Sequence, residues 1–125
     1  MSAVAMQFLG FAEEFRAPGQ PFIQPERFAE ALNLRVQDLA KLAGVHRTTV
    51  TETPGNARLQ GFLREALRAL SAAYEASHDR DRAIFWFRNT PIPEFGHRTA
   101  ETIVAEGKTD AVIAYLASIA AGSSG

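Results

Sequence analysis

Residues 56–77 read NARLQGFLREALRALSAAYEAS. Leu59, Phe62, Leu63, Ala66, Leu67, Leu70, Ala73 and Tyr74 recur at i, i+3, i+4 and i+7. That spacing gathers side chains on one face of an α-helix. Asn56 is placed to cap this helix, because its short side-chain oxygen reaches the unpaired amides of the first turn. Pro54-Gly55 stops whatever precedes it.

Working outward toward the N-terminus, the spacing predicts a short helix from near His46 to Pro54-Gly55. Before it comes another, from about Arg35 to Ala43, burying Val36, Leu39, Ala40 and Leu42. Gly44 ends that helix, since glycine takes the left-handed conformation that closes a helix C-terminus. Pro25 suits the first position of an earlier helix that presents Phe28, Ala31 and Leu32 on one face. Pro18-Gly19-Gln20-Pro21 breaks the chain ahead of it. Residues 2–16, with Phe8, Leu9, Phe11 and Phe15, read as a short helix or a packed arm.

Toward the C-terminus the pattern restarts after Ser77. A helix runs over Asp79–Asn89, followed by a loop over residues 90–96 and a short helix from about Thr99 to Glu106, stopped by Gly107. Thr109 is expected to cap a last helix carrying Val112, Ile113, Leu116 and Ile119, and residues 121–125 to form a flexible tail. There is no internal repeat and no strand-like alternation longer than four residues. The expected class is all-α, with an N-terminal arm or short helix (1–24), a helix-turn-helix region with a long connecting helix (25–78) and a C-terminal helical lobe with a flexible tail (79–125).

Composition narrows the function. The 125 residues are enough for one compact domain or two small helical lobes sharing a core. There is no cysteine, which excludes disulfides, thiolate metal sites and cysteine nucleophiles and fits a reducing cytosol. No apolar run approaches the roughly 18 residues of a membrane helix. The N-terminus carries Glu13 and Glu14 and lacks a basic n-region, so it does not read as a signal peptide. A cytoplasmic protein away from membranes is expected. His46, His78 and His97 are isolated and lack metal-ligand spacing. Asp79, Arg80, Asp81 and Arg82 read as dipole-compensating charges at a helix start. No phosphate loop, nucleophile elbow or dinucleotide fingerprint is present. The chain reads as a non-enzyme that needs no cofactor and no metal.

The net charge is −1, yet Arg35, Lys41, Arg47, Arg58, Arg64 and Arg68 face only Asp38, Glu52 and Glu65 between residues 35 and 68. That segment is +3 and the remainder −4. A basic middle permits a local DNA footprint, although charge alone is met more readily by a solvated helix face. Pattern adds to charge. Val36, Leu39, Ala40, Gly44, Val45 and Val50 have helix-turn-helix spacing: a small residue where two helices cross, a glycine in the turn, and valines that wedge the second helix onto the core. The positions left outside are His46, Arg47, Thr48, Thr49 and Thr51, with Arg58 on the next helix, and these are the candidate DNA contacts. A helical hairpin that only packs has the same spacing, and Pro54 keeps the second helix short.

Phe85, Trp86 and Phe87 are adjacent on one helix and cannot share a face. At least one must point outward, where an exposed aromatic is a partner contact. For each of the three, core and interface are equally open.

The segment IFWFRNTPIPEFGHRTAETIVAEGKTDAVIAYLASIAAG, residues 84–122, resembles the toxin-binding domain of the Xre/MbcA/ParS antitoxins, which partner RES-domain toxins. Trp86, Phe87, Arg88, Asn89, Thr90 and Pro91 match the end of the family's aromatic helix. Phe95, Gly96, Arg98 and Thr99 match its loop and cap. Ile103, Val104 and Gly107 match the short helix, and Val112, Leu116, Ile119 and Gly122 the last one. Phe87 stands where Leu is usual and Ala100 where Pro is usual. The first 20 residues have no counterpart.

The resemblance implies an antitoxin with two tasks. One is transcription repression, by binding its own operator as a homodimer or as a hetero-oligomer with the toxin. The other is inhibition of a cognate RES-domain toxin, an ADP-ribosyltransferase or NAD-degrading enzyme, by covering its active-site cleft. The expected docking residues are Trp86, Arg88, His97 and Arg98, with Ala120, Ala121, Gly122 and Ser123 entering or capping the cleft. The alternative is a free-standing helix-turn-helix regulator with a C-terminal dimerisation or sensing lobe.

Overall fold

Eight α-helices form among residues 8–124, the part of the chain described by the computed structural model. They are α1 (Phe11–Glu14), α2 (Pro25–Ala31), α3 (Val36–Ala43), α4 (Arg47–Glu52), α5 (Ala57–Ser77), α6 (Arg80–Asn89), α7 (Ala100–Ala105) and α8 (Thr109–Ser124), with a 3₁₀ turn at Pro93–Phe95. No strand occurs among the described residues; two isolated bridges, Arg16–Ile23 and Ile92–Arg98, close loops. The class is all-α.

The α5 helix is the axis of the molecule. Asn56 caps it, its side-chain oxygen accepting from the Leu59 amide at 3.0 Å. Leu59, Leu63, Ala66 and Leu70 are fully buried along it. Helices α1, α3, α6, α7 and α8 all pack against it, so both halves of the chain share one core. Each such leucine contributes about 1.5–3 kcal/mol through the apolar surface it removes from water.

The N-terminal aromatics belong to this core. Phe11 and Phe15 are buried, and rings stack edge-to-face or offset from Phe8 to Phe11, Phe15, Phe28 and Phe62, with centroids 4.9–6.3 Å apart. Residues 8–15 are thus both a packed arm and a single helical turn. The portion of the expected arm at residues 1–7 lies outside the described residues.

Gln60, buried on α5, fixes the loop that follows. Its Oε1 accepts from the Ile23 amide at 2.9 Å, and its Nε2 donates to the carbonyls of Ile23 at 2.7 Å and Pro54 at 2.8 Å. Arg80, at the start of α6, grips both carboxylate oxygens of Glu14.

Two expectations at the C-terminus are corrected. Thr109 does not cap α8. It is the first residue of the helix, it is 2% exposed, and its hydroxyl has no hydrogen-bond partner among the described residues. It lies one turn before the buried Val112 and therefore faces inward, where packing overrides its capping preference. The helix also does not stop near Ile119 to leave a tail, but continues through Ser124. Ala117, Ala120 and Ala121 are the strongest of helix formers, and the single Gly122 costs only about 1 kcal/mol against them.

Candidate nucleic-acid and partner surfaces

The first surface is built by α3, the turn at Gly44, and α4. Gly44 adopts φ 73° and ψ 35°, a left-handed conformation that side chains with a Cβ enter at a cost. The Gly44 amide donates to Lys41 O at 3.2 Å and the Val45 amide to Ala40 O at 3.0 Å, closing α3 and aiming the chain into α4. Leu39, Ala40 and Val50 are buried at the crossing. With Val50 pointing inward, His46, Arg47, Thr48 and Thr51 are exposed, and Thr49 is half-buried. His46 holds the N-cap position of α4 in extended conformation without spending its side chain on the cap. Thr51 turns its hydroxyl back to donate to Thr48 O at 3.3 Å.

Arg58 is brought to the same place from α5. Its Nη1 lies 3.5 Å from where a Cβ on Gly44 would stand, so its guanidinium covers the turn that leads into α4. The six cations of the basic segment divide in two. Arg35 is paired with Asp38, and Arg68 with Glu65 and Asp110. Lys41, Arg47, Arg58 and Arg64 make no ion pair among the described residues, and the first three lie on α3's last turn, α4 and α5's first turn. Unpaired, solvated cations concentrated around one turn make an anion-attracting surface. Beside it a shallow groove of about 570 Å³ runs between α3, α5 and α7, with Gly61 in its lining.

The second surface is built by α6, the following loop and α8. Ala83 and Phe87 are buried, Trp86 is half-buried against the core, and Phe85 is 63% exposed. Phe85 is the outward aromatic, and the sequence reading did not single it out. Spacing carries part of the signal: Ala83 and Phe87 are four apart, and once both are inward Phe85 is sent roughly to the opposite side at about 100° per residue.

Arg88 is half-buried and largely committed within the chain. Its Nε donates to Glu101 Oε2 at 2.8 Å, and its Nη1 to the carbonyls of Leu32 at 3.0 Å and Asn33 at 3.2 Å. Glu101 is buried, and burial pushes its carboxyl above the usual range despite the opposing effect of Arg88. Arg98 is exposed but pairs with both oxygens of Glu106 and donates from Nε to Phe95 O at 3.0 Å.

No family model matches the chain, and no curated protein or solved structure does either.

His97 follows Gly96 in a second consecutive left-handed conformation, φ 63° after φ 69°. The loop tolerates this because the Ile92 amide donates to Arg98 O at 3.0 Å and the His97 amide to Ile92 O at 2.9 Å, closing both ends. The imidazole is left exposed at the loop tip. Phe95 packs on Tyr115 at a centroid distance of 5.8 Å, which joins this loop to α8. Ala120, Ala121 and Gly122 are exposed on α8's last turns; the side chain of Ser123 lies outside the described residues. No cluster of His, Asp and Glu able to hold a metal ion is found among the described residues, and no helix there is long and apolar enough to cross a membrane.

Proposed function

We propose that this chain is an antitoxin that represses its own operon and silences a partner enzyme. In this reading α3 and α4 are a helix-turn-helix and α4 enters the major groove. Arg47, with His46, Thr48, Thr49 and Thr51 beside it, reads base edges, and Arg58 holds a phosphate. The observation that supports it best is the turn itself. Gly44 is left-handed, Val50 is wedged inward, and the exposed face of α4 is bordered by the unpaired cations Lys41 and Arg58. One such short helix reads a half-site, so the operator-bound form is a dimer with its two α4 helices about 34 Å apart.

Arg47→Ala tests the assignment. Operator affinity at fixed salt should fall by about 1–3 kcal/mol, with partner binding unchanged. Equal affinity in a shift assay would remove the DNA role of α4.

The second half of the proposal rests on the resemblance of residues 84–122 to toxin-binding domains. The α6 face with Phe85 and Trp86, together with His97 and Arg98, docks on a RES-domain toxin that uses NAD. The last turns of α8 cap its cleft as a helical end. Co-expression tests this part: the chain should restore growth to cells expressing the adjacent toxin gene. A free-standing regulator is the second reading. It is favoured by the internal bonds of Arg88 and Arg98, which leave less of the C-terminal charge for a partner. A neighbouring reading frame that stops growth when expressed alone decides between the two.

A further inference from the structure

Arg88 stands at the junction of three elements. It projects from α6, bonds Glu101 on α7, and donates to the carbonyls of Leu32 and Asn33, which end α2. Those carbonyls lie at the C-cap and just past the C-terminus of α2, near the negative end of its dipole, where a guanidinium is favoured. The chain is tightly folded there. The Leu32 amide donates to Phe28 O at 3.1 Å and the Leu34 amide to Ala29 O at 2.8 Å, and Asn33 is left-handed at φ 55°. Three residues after Asn33, α3 begins.

Apolar packing of α3 on α5 is non-directional, and the Gln60 bonds tie α2–α4 to α5 at its two ends, Ile23 and Pro54. A planar guanidinium fork held by one carboxylate and two carbonyls fixes distance and direction together. A partly buried ion pair adds little net stability after desolvation, so its main effect is on geometry. We propose that Arg88 is a positioning residue that latches α2–α4 onto the C-terminal half, so that α4 keeps one orientation. The latch stands by itself; its consequence for DNA rests on the reading of α4 above. It also links the two surfaces, because Arg88 lies on the same helix as Phe85, three residues further on. A partner that draws Arg88 away from Glu101 would loosen the seat of α4.

Amide hydrogen exchange on the full chain tests the latch. Arg88→Lys keeps the charge and loses the fork, and Arg88→Ala removes both. With either variant the amides of Leu34 and Val45 should exchange about tenfold faster, while those in the second half of α5 stay within about twofold, the signature of sub-global opening. Glu101→Gln, which leaves the two carbonyl bonds in place, should show a smaller change at the same amides. Uniform acceleration in all helices, or none anywhere, would overturn the latch. If the alanine variant does not fold, the lysine variant decides.

Binding to a mixed-sequence duplex of about 30 base pairs at low salt is measured in parallel. Several-fold weaker binding by Arg88→Lys carries the latch through to the DNA face. A wild-type chain that ignores the duplex removes the DNA reading and leaves the latch to the exchange data. Local acceleration with unchanged duplex binding separates the latch from DNA positioning and overturns that consequence.

Discussion

The turn at Gly44 and the helix interior at Gly61 make opposite predictions for the same substitution. At Gly44 a Cβ meets Arg58 Nη1 at 3.5 Å and Cδ at 3.7 Å, ordinary contact distances, so crowding is not the cost. The cost is φ 73°. The left-handed conformation disfavours a Cβ by about 1–2 kcal/mol, and the loss of unfolded-state freedom returns about 0.4–1 kcal/mol. Gly44→Ala should therefore destabilise by about 1 kcal/mol. Gly44→Val should cost about 2–3 kcal/mol, because branching at Cβ deepens the strain. At Gly61 the backbone is helical and a Cβ meets nothing within 4 Å, so Gly61→Ala should stabilise by about 0.5–1 kcal/mol. Thermal unfolding followed by circular dichroism reads both, at about 3–6 °C per kcal/mol for a chain of this size. Gly44→Ala melting with or above wild type would mean that the turn does not hold its left-handed form in solution. The geometry from which α4 was assigned would fall with it.

Phe85→Ala should leave stability within about 0.5 kcal/mol of wild type, whereas Phe87→Ala should cost about 3–5 kcal/mol; urea unfolding compares them, and the reverse order would mean that α6 is rotated from the orientation described. For Glu101, a folded-state pKa raised by burial means that the native state binds more protons just above the usual Glu range. The stability of wild type relative to Glu101→Gln should then fall as pH rises from the usual Glu value through the raised one, and urea titrations that give a constant difference across pH would refute this. Truncation after Ile119 removes residues exposed on α8's last turns. On the antitoxin reading the truncated chain should stay folded and bind DNA as before but neutralise a co-expressed toxin less well, and full neutralisation would remove the role given to the end of α8.

The helices were legible because each carries both a period and a punctuation mark. Pro25, Gly44, Asn56 and Gly107 each sit at a boundary that local chemistry imposes, and the structure places helix ends beside all four. Thr109 failed for the same reason that it looked convincing. A threonine before an amphipathic run is a good cap only if its hydroxyl is free to accept from the amides of the turn that follows, and the packing that takes Thr109 inward is set by α5, on which α8 lies. Gln60 was illegible for a related reason. Next to Leu59 it reads as an ordinary polar position, and its burial makes sense only through backbone groups at Ile23, 37 positions earlier, and at Pro54. Periodicity carries no information about such partners.

The same distinction governs the candidate sites. On α4 the exposed residues follow from the inward direction of Val50, which a helical period supplies, so His46, Arg47, Thr48 and Thr51 were identifiable by elimination. On α6 elimination required at least one outward aromatic without identifying it, since Phe85, Trp86 and Phe87 all carry apolar rings. The choice is made by Ala83 and Phe87 together, which requires knowing that the small residue is the buried one. Arg88 lies beyond any such argument. From sequence it is a cation two residues past a tryptophan, ready for a partner. In the fold its hydrogen bonds go to Leu32 and Asn33, 56 and 55 positions away, and to Glu101. A side chain that reads as a docking group is thereby a joint of the molecule itself, and a mutation there tests architecture before it tests any interface.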